Sequence, residues 1–140
     1  MRTRSLAQRI LLLFLLLGLA ISGIAQSELP KSMKGSWSGM SERGNVPLNG
    51  TLSVVIDKQN ADGSIEGKMS GSSGQCGMKD EPMTGRFDGT VLTLQATWRP
   101  LVPQATHCTK ATYVLKKTGS GFEGGIPGSR LQIKASLAPS

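Results

Sequence analysis

Val91-Leu92-Thr93-Leu94-Gln95-Ala96-Thr97-Trp98 is the stretch that decides the fold. Leu92, Leu94, Ala96 and Trp98 fall on one side of an extended chain, and Val91, Thr93, Gln95 and Thr97 on the other. A period of two marks a β-strand with one face buried and one face wet; a helix would repeat every three to four positions. The same alternation recurs on both sides of this segment. Leu52, Val54 and Ile56 alternate with Thr51, Ser53 and Val55, and Ile65, Gly67 and Met69 with Ser64, Glu66, Lys68 and Ser70. Ala111, Tyr113 and Leu115 oppose Thr112, Val114 and Lys116, and Leu131, Ile133 and Ala135 oppose Gln132 and Lys134. Threonines and β-branched residues are frequent in these runs, as a pleated, half-buried surface favours.

Turn residues separate the runs. Asn60-Ala61-Asp62-Gly63, Asp88-Gly89, Thr118-Gly119-Ser120-Gly121 and Pro127-Gly128 each supply the glycine or proline that a tight reversal requires. The pattern predicts strands near 35–41, 50–57, 63–70, 83–88, 90–98, 107–117, 121–126 and 130–136. Short hairpins in succession imply an all-β fold: one small antiparallel, eight-stranded, up-and-down meander. Closure into a β-barrel would remove the exposed edges of an open sheet. No amphipathic helix is expected in the body of the chain.

Two segments break the alternation. Gly71 to Glu81 (GSSGQCGMKDE) and Pro100 to Thr106 (PLVPQAT) read as long loops, the first holding Cys76 and the second leading to Cys108. These are the two cysteines of the chain, 32 positions apart, and a disulfide between them is expected to staple the loops together. A metal shared with His107, the single histidine, is the alternative. Structural zinc wants four ligands and no further Cys or carboxylate stands at ligand spacing, so no metal and no cofactor are expected.

The N-terminus sets the compartment. Arg2, Arg4 and Arg9 precede the apolar run Ile10 to Ala20, and small residues stand at Gly23 and Ala25. This is the build of a secretory signal peptide, residues 1–25, with cleavage expected after Ala25. Ile10 to Ala25 is 16 residues with a break at Ser22-Gly23, short of the roughly 20 a spanning helix needs. A lipoprotein is not expected, since the first cysteine is Cys76. The implied organisation is a short lead at 26–34, a barrel domain at 35–136 and a tail at 137–140, working in the periplasm or outside the cell. Contact with a membrane would be transient, through the signal peptide alone.

Cleavage removes 3 of the 16 basic residues and none of the 9 acidic ones, so the net charge falls from +7 to +4. The remaining positive side chains are scattered, only Lys116 and Lys117 being adjacent, so nucleic acid is not an expected partner. No G-x-S-x-G, H-E-x-x-H or phosphate-cradling loop is present, and Asp88, Glu81 and Glu123 form no pair at a defined spacing. The expectation is a protein that is not an enzyme. Asn49-Gly50-Thr51 fits a glycosylation sequon, but Asn-Gly also reads as a turn before the second strand, and the turn is the favoured reading.

Gly35-Ser36-Trp37, Asp62-Gly63-Ser64-Ile65-Glu66-Gly67 and Thr84-Gly85-Arg86-Phe87-Asp88 follow one another in the order of an avidin-like barrel. The match spans residues 35–98 and is similar also to the wider calycin group, in which a Gly-x-Trp plugs one end of an eight-stranded barrel. The resemblance implies shape, with Trp37 as the plug. It does not carry biotin binding over: Met69 stands where the family has a tyrosine, and Ser38-Gly39-Met40 where a ligand-binding Asn is expected.

Two roles fit these features. One is a binding barrel that holds a small apolar ligand at its open end near Trp98, Met69 and Tyr113, since eight strands can enclose one small molecule. The other is a protein-binding module of the envelope or secreted space, an inhibitor or surface-interaction protein presenting loops 71–81 and 100–108.

Overall fold

The computed structural model describes residues 27–105 and 108–140; the expected signal peptide and His107 lie outside the described residues. Nine strands are present and no helix among the described residues: β1 (Ser32–Met40), β2 (Pro47–Gln59), β3 (Ser64–Ser72), β4 (Cys76–Phe87), β5 (Val91–Thr97), β6 (Arg99–Pro100), β7 (Lys110–Thr118), β8 (Gly121–Gly125) and β9 (Lys134–Pro139). Every pairing is antiparallel. Each of the eight longer strands pairs with its sequence neighbours, and β9 returns to β1, placing Trp37 opposite Ala135. The pairing of β3 with β4 completes the ring, so the fold is a closed, eight-stranded, up-and-down barrel. The two-residue β6 is an appendage, bonded to Cys76 and Gly77 at the start of β4.

The alternating residues point where the period of two places them. Leu52, Val54, Ile65, Leu92, Leu94, Tyr113 and Leu115 are all buried, and no charged or polar side chain joins them among the described residues. Burying a Val, Leu or Phe side chain is worth roughly 1.5–3 kcal/mol, so this lining is the main force that closes the ring.

The two ends of the barrel differ. One carries the turns at 60–63, 88–90 and 119–120, where Gly63, Gly89 and Gly119 take positive φ. Asp62 accepts from the Ser64 amide (2.9 Å), and Asp88 accepts from the amides of Thr90 (2.8 Å) and Val91 (2.7 Å), which fixes these turns. Leu29 and the edge-to-face pair Phe87–Phe122 (centroids 5.7 Å apart) fill this end. The opposite end carries the connections at 41–46, 73–75, 98–109 and 126–133.

Several boundaries depart from the sequence reading. The expected 71–81 loop is largely strand: β3 runs to Ser72 and β4 starts at Cys76, leaving a connection at 73–75. Glycine and serine hid the alternation there, and a bulge at Lys79-Asp80 shifts it by one position, with Asp80 at positive φ. Asn49-Gly50 is not a turn but the interior of β2, with Gly50 opposite Trp37. β1 begins at Ser32, inside the expected lead, and β9 extends to Pro139, through most of the expected tail. The last strand starts at Lys134 rather than near 130, because Ile126 to Ile133 form turns at the barrel's end.

Candidate functional site

The end with the longer connections holds a cavity of about 560 Å³, within the size range of small-molecule sites. Trp37, Trp98 and Tyr113 lie at its floor. Deeper inward-facing residues on the same strands, such as Leu94 and Leu115, do not reach it. Leu48, Ile126, Leu131 and Ile133 provide an aliphatic wall, and the Cys76–Cys108 disulfide another part of the lining. Lys110 and Gln75 stand at the rim and are exposed. Two other hollows are lined by residues around Leu29 and Gln59 and around Ser136.

The floor is an aromatic cluster with fixed polar contacts. The Trp37 and Trp98 rings meet edge to face, 6.1 Å between centroids at 76°, a favoured geometry for aromatic quadrupoles. The Trp37 Nε1–H donates to the Ser72 carbonyl oxygen at 3.0 Å, and the Trp98 Nε1–H to Tyr113 Oη at 3.1 Å. Tyr113 is 1% exposed. Burial pushes its phenol up to about 12, with the Trp98 hydrogen bond pulling the other way.

Glycines seat both indoles. A Cβ on Gly50 would overlap the Trp37 ring and the Ser72 carbonyl. On Gly71 it would come within 3.1 Å of Trp98 Cη2 and 2.9 Å of the Thr51 carbonyl oxygen. The sequence reading placed Gly50 in a turn and Gly71 in a loop. An isolated glycine inside a strand run, the usual mark of a close approach, is the signal that could have found them.

The expected site residues separate into two groups. Trp98 and Tyr113 come together at the cavity floor, and Trp37, expected as a plug, lines the same cavity with its ring against Trp98. Met69 does not take part: it lies in the core, 1% exposed, opposite Val54 on β2. The next inward position toward the cavity is Gly71, and the Trp98 ring occupies the space beside it.

Cys76 and Cys108 are bonded, and the bridge joins the start of β4 to the segment leading into β7. β6 reinforces this corner. Arg99 donates to Glu81 from Nε (3.1 Å) and Nη2 (3.3 Å), and the Leu101 amide donates to the Gln75 carbonyl (2.8 Å). Among the described residues no group of three or more His, Cys, Asp or Glu is placed to hold a metal ion. The arrangement can enclose an apolar body against aromatic rings.

Compared with protein-family models, with curated proteins and with solved structures, the chain matches none.

Proposed function

We propose that the protein is a small-molecule-binding barrel that acts outside the cytoplasm and performs no catalysis. The observation that carries this reading is the cavity at one end, floored by Trp37, Trp98 and Tyr113, above an otherwise packed interior. Binding sites for small molecules are concave and mostly apolar with few polar groups, and this lining has that character. The disulfide is compatible with an oxidising compartment. The basic, apolar and small-residue order of residues 1–25 supports export. The likeness of Gly35-Ser36-Trp37 and the following hairpins to avidin-like and calycin barrels supports the reading at the level of shape.

A second reading, protein binding through the loops, rests on Leu101 and Val102, which are 60% and 37% exposed beside the disulfide. The other half of that surface, residues 71–81, is mostly barrel wall, so the cavity is the better-supported site.

A native mass spectrum of protein purified from an oxidising secretory host tests the proposal. The expected species begins at Gln26 and carries a non-covalent small adduct that is absent from Ala111→Trp, a variant that fills the cavity. An unliganded mass for both proteins, even after incubation with a host lipid extract, would contradict it.

A further inference from the structure

Three polar hydrogens sit at the cavity floor: two indole N–H groups and the Tyr113 hydroxyl. Both indole donors are engaged within the protein, Trp37 with the Ser72 carbonyl and Trp98 with Tyr113 Oη. In the second bond the tyrosine oxygen accepts. A phenol can donate one hydrogen bond as well as accept, and Trp98 is the single partner of this hydroxyl among the described residues. Among the described residues the floor therefore offers a donor that no protein group takes up.

Charge narrows the choice further. Among the described residues no cationic side chain lines the floor; the described cation of the cavity is Lys110, which is exposed at the rim. A carboxylate driven down to the rings would be a buried charge without a counter-ion, which is strongly unfavourable. A neutral carbonyl or ether oxygen avoids that cost and meets the hydroxyl.

We infer that the cavity takes an uncharged, largely apolar molecule, inserted with a hydrogen-bond acceptor leading, and that Tyr113 Oη donates to that acceptor. This rests on the proposed binding role and adds the chemistry and orientation of the ligand. The Trp98 bond holds the phenol ring and its oxygen in place, so the hydroxyl hydrogen is the one moving part. A phenol held well above its ordinary value of 10 stays a donor throughout the physiological range.

Three probes with one aromatic body separate the possibilities: 2-acetylnaphthalene (neutral acceptor), 2-ethylnaphthalene (no acceptor) and 2-naphthoate (anion). Their dissociation constants would be measured by equilibrium dialysis. The ketone is expected to bind about tenfold tighter than the hydrocarbon, the effect of one well-placed hydrogen bond in a dry site, and the anion weakest. Tyr113→Phe is expected to weaken the ketone more than the hydrocarbon, so that the tenfold preference between the two shrinks severalfold. A hydrocarbon that binds as well as the ketone to the wild-type protein would overturn the inference and leave the binding role standing. So would tightest binding of 2-naphthoate. Failure of all three probes to bind would overturn the binding role together with the inference.

Discussion

The Trp98 indole N–H donates to the Tyr113 hydroxyl oxygen across 3.1 Å of buried space, linking the end of β5 to the inner face of β7. The two residues stand 15 positions apart in sequence, joined by the connection that carries Cys108. A buried indole donor left alone costs free energy, so this contact orders the cavity floor as well as shaping it.

The tyrosine reports on that burial directly. It is the one tyrosine of the chain, so its absorbance at 295 nm titrates without overlap from another phenol. It should ionise near 12 in the folded protein and near the ordinary 10 in urea. A raised folded value means that the folded state holds the proton more tightly. The associated stability is then fully present below pH 10 and is lost as pH rises toward 12. Tyr113→Phe should remove this loss and, by stranding the Trp98 donor, lower stability at neutral pH by about 1–3 kcal/mol in urea titrations.

The disulfide closes a 32-residue separation at the cavity end of the barrel. Cys76→Ser should destabilise by roughly 3–4 kcal/mol under oxidising conditions. Reducing the wild-type protein should shift its thermal midpoint by a similar amount, and reductant should leave the variant unmoved. Equal midpoints for all samples would show that the bridge contributes nothing.

Gly50→Ala places a methyl group against the Trp37 ring and the Ser72 carbonyl, two groups already hydrogen-bonded to each other. Overpacking at such a point should cost about 3 kcal/mol and shift the tryptophan emission as Trp37 is displaced. Gly74→Ala, at a positive φ of 77° with open space around it, should cost about 1 kcal/mol and leave the emission unchanged.

Two turns at the packed end should give the protein an acid-sensitive component. The Asp62 carboxylate is held below its ordinary 3.8 by bonds from the Ser64 hydroxyl and amide, and Asp88 by the amides of Val91 and Thr90. Depressed folded values contribute stability above pH 3.8 that is lost as pH falls through them. Urea midpoints of Asp62→Asn and Asp88→Asn should therefore fall less steeply below pH 4 than those of the wild type.

The barrel was legible in the sequence wherever alternation was uninterrupted. Val91 to Trp98 and Ala111 to Leu115 read correctly because each inward position holds an apolar side chain and each is bounded by a turn residue. The disulfide was legible because the chain has two cysteines, one within and one just after the two segments that break the alternation. The start of β4 was not, since Gly71 to Gly77 holds one apolar side chain, Cys76, and so no alternation, and the Lys79-Asp80 bulge changes the phase. At the site, Trp98 and Tyr113 both fall on the inward face, which period two can reveal. Met69 was placed among them by face alone; its depth along the barrel depends on register, which hydrophobic spacing does not encode. Gly50 and Gly71 matter through what lies across the sheet from them; a glycine within a strand marks a close approach but does not name its partner.

The most direct test of the cavity as the functional site uses the two indole N–H signals in a ¹H–¹⁵N spectrum, since the chain has two tryptophans. Titration with 2-acetylnaphthalene should shift both signals in a saturable manner and leave the amides of Gly63 and Gly89, at the packed end, in place. Movement of those turn amides with unmoved indoles, or no movement at saturating probe, would contradict the account.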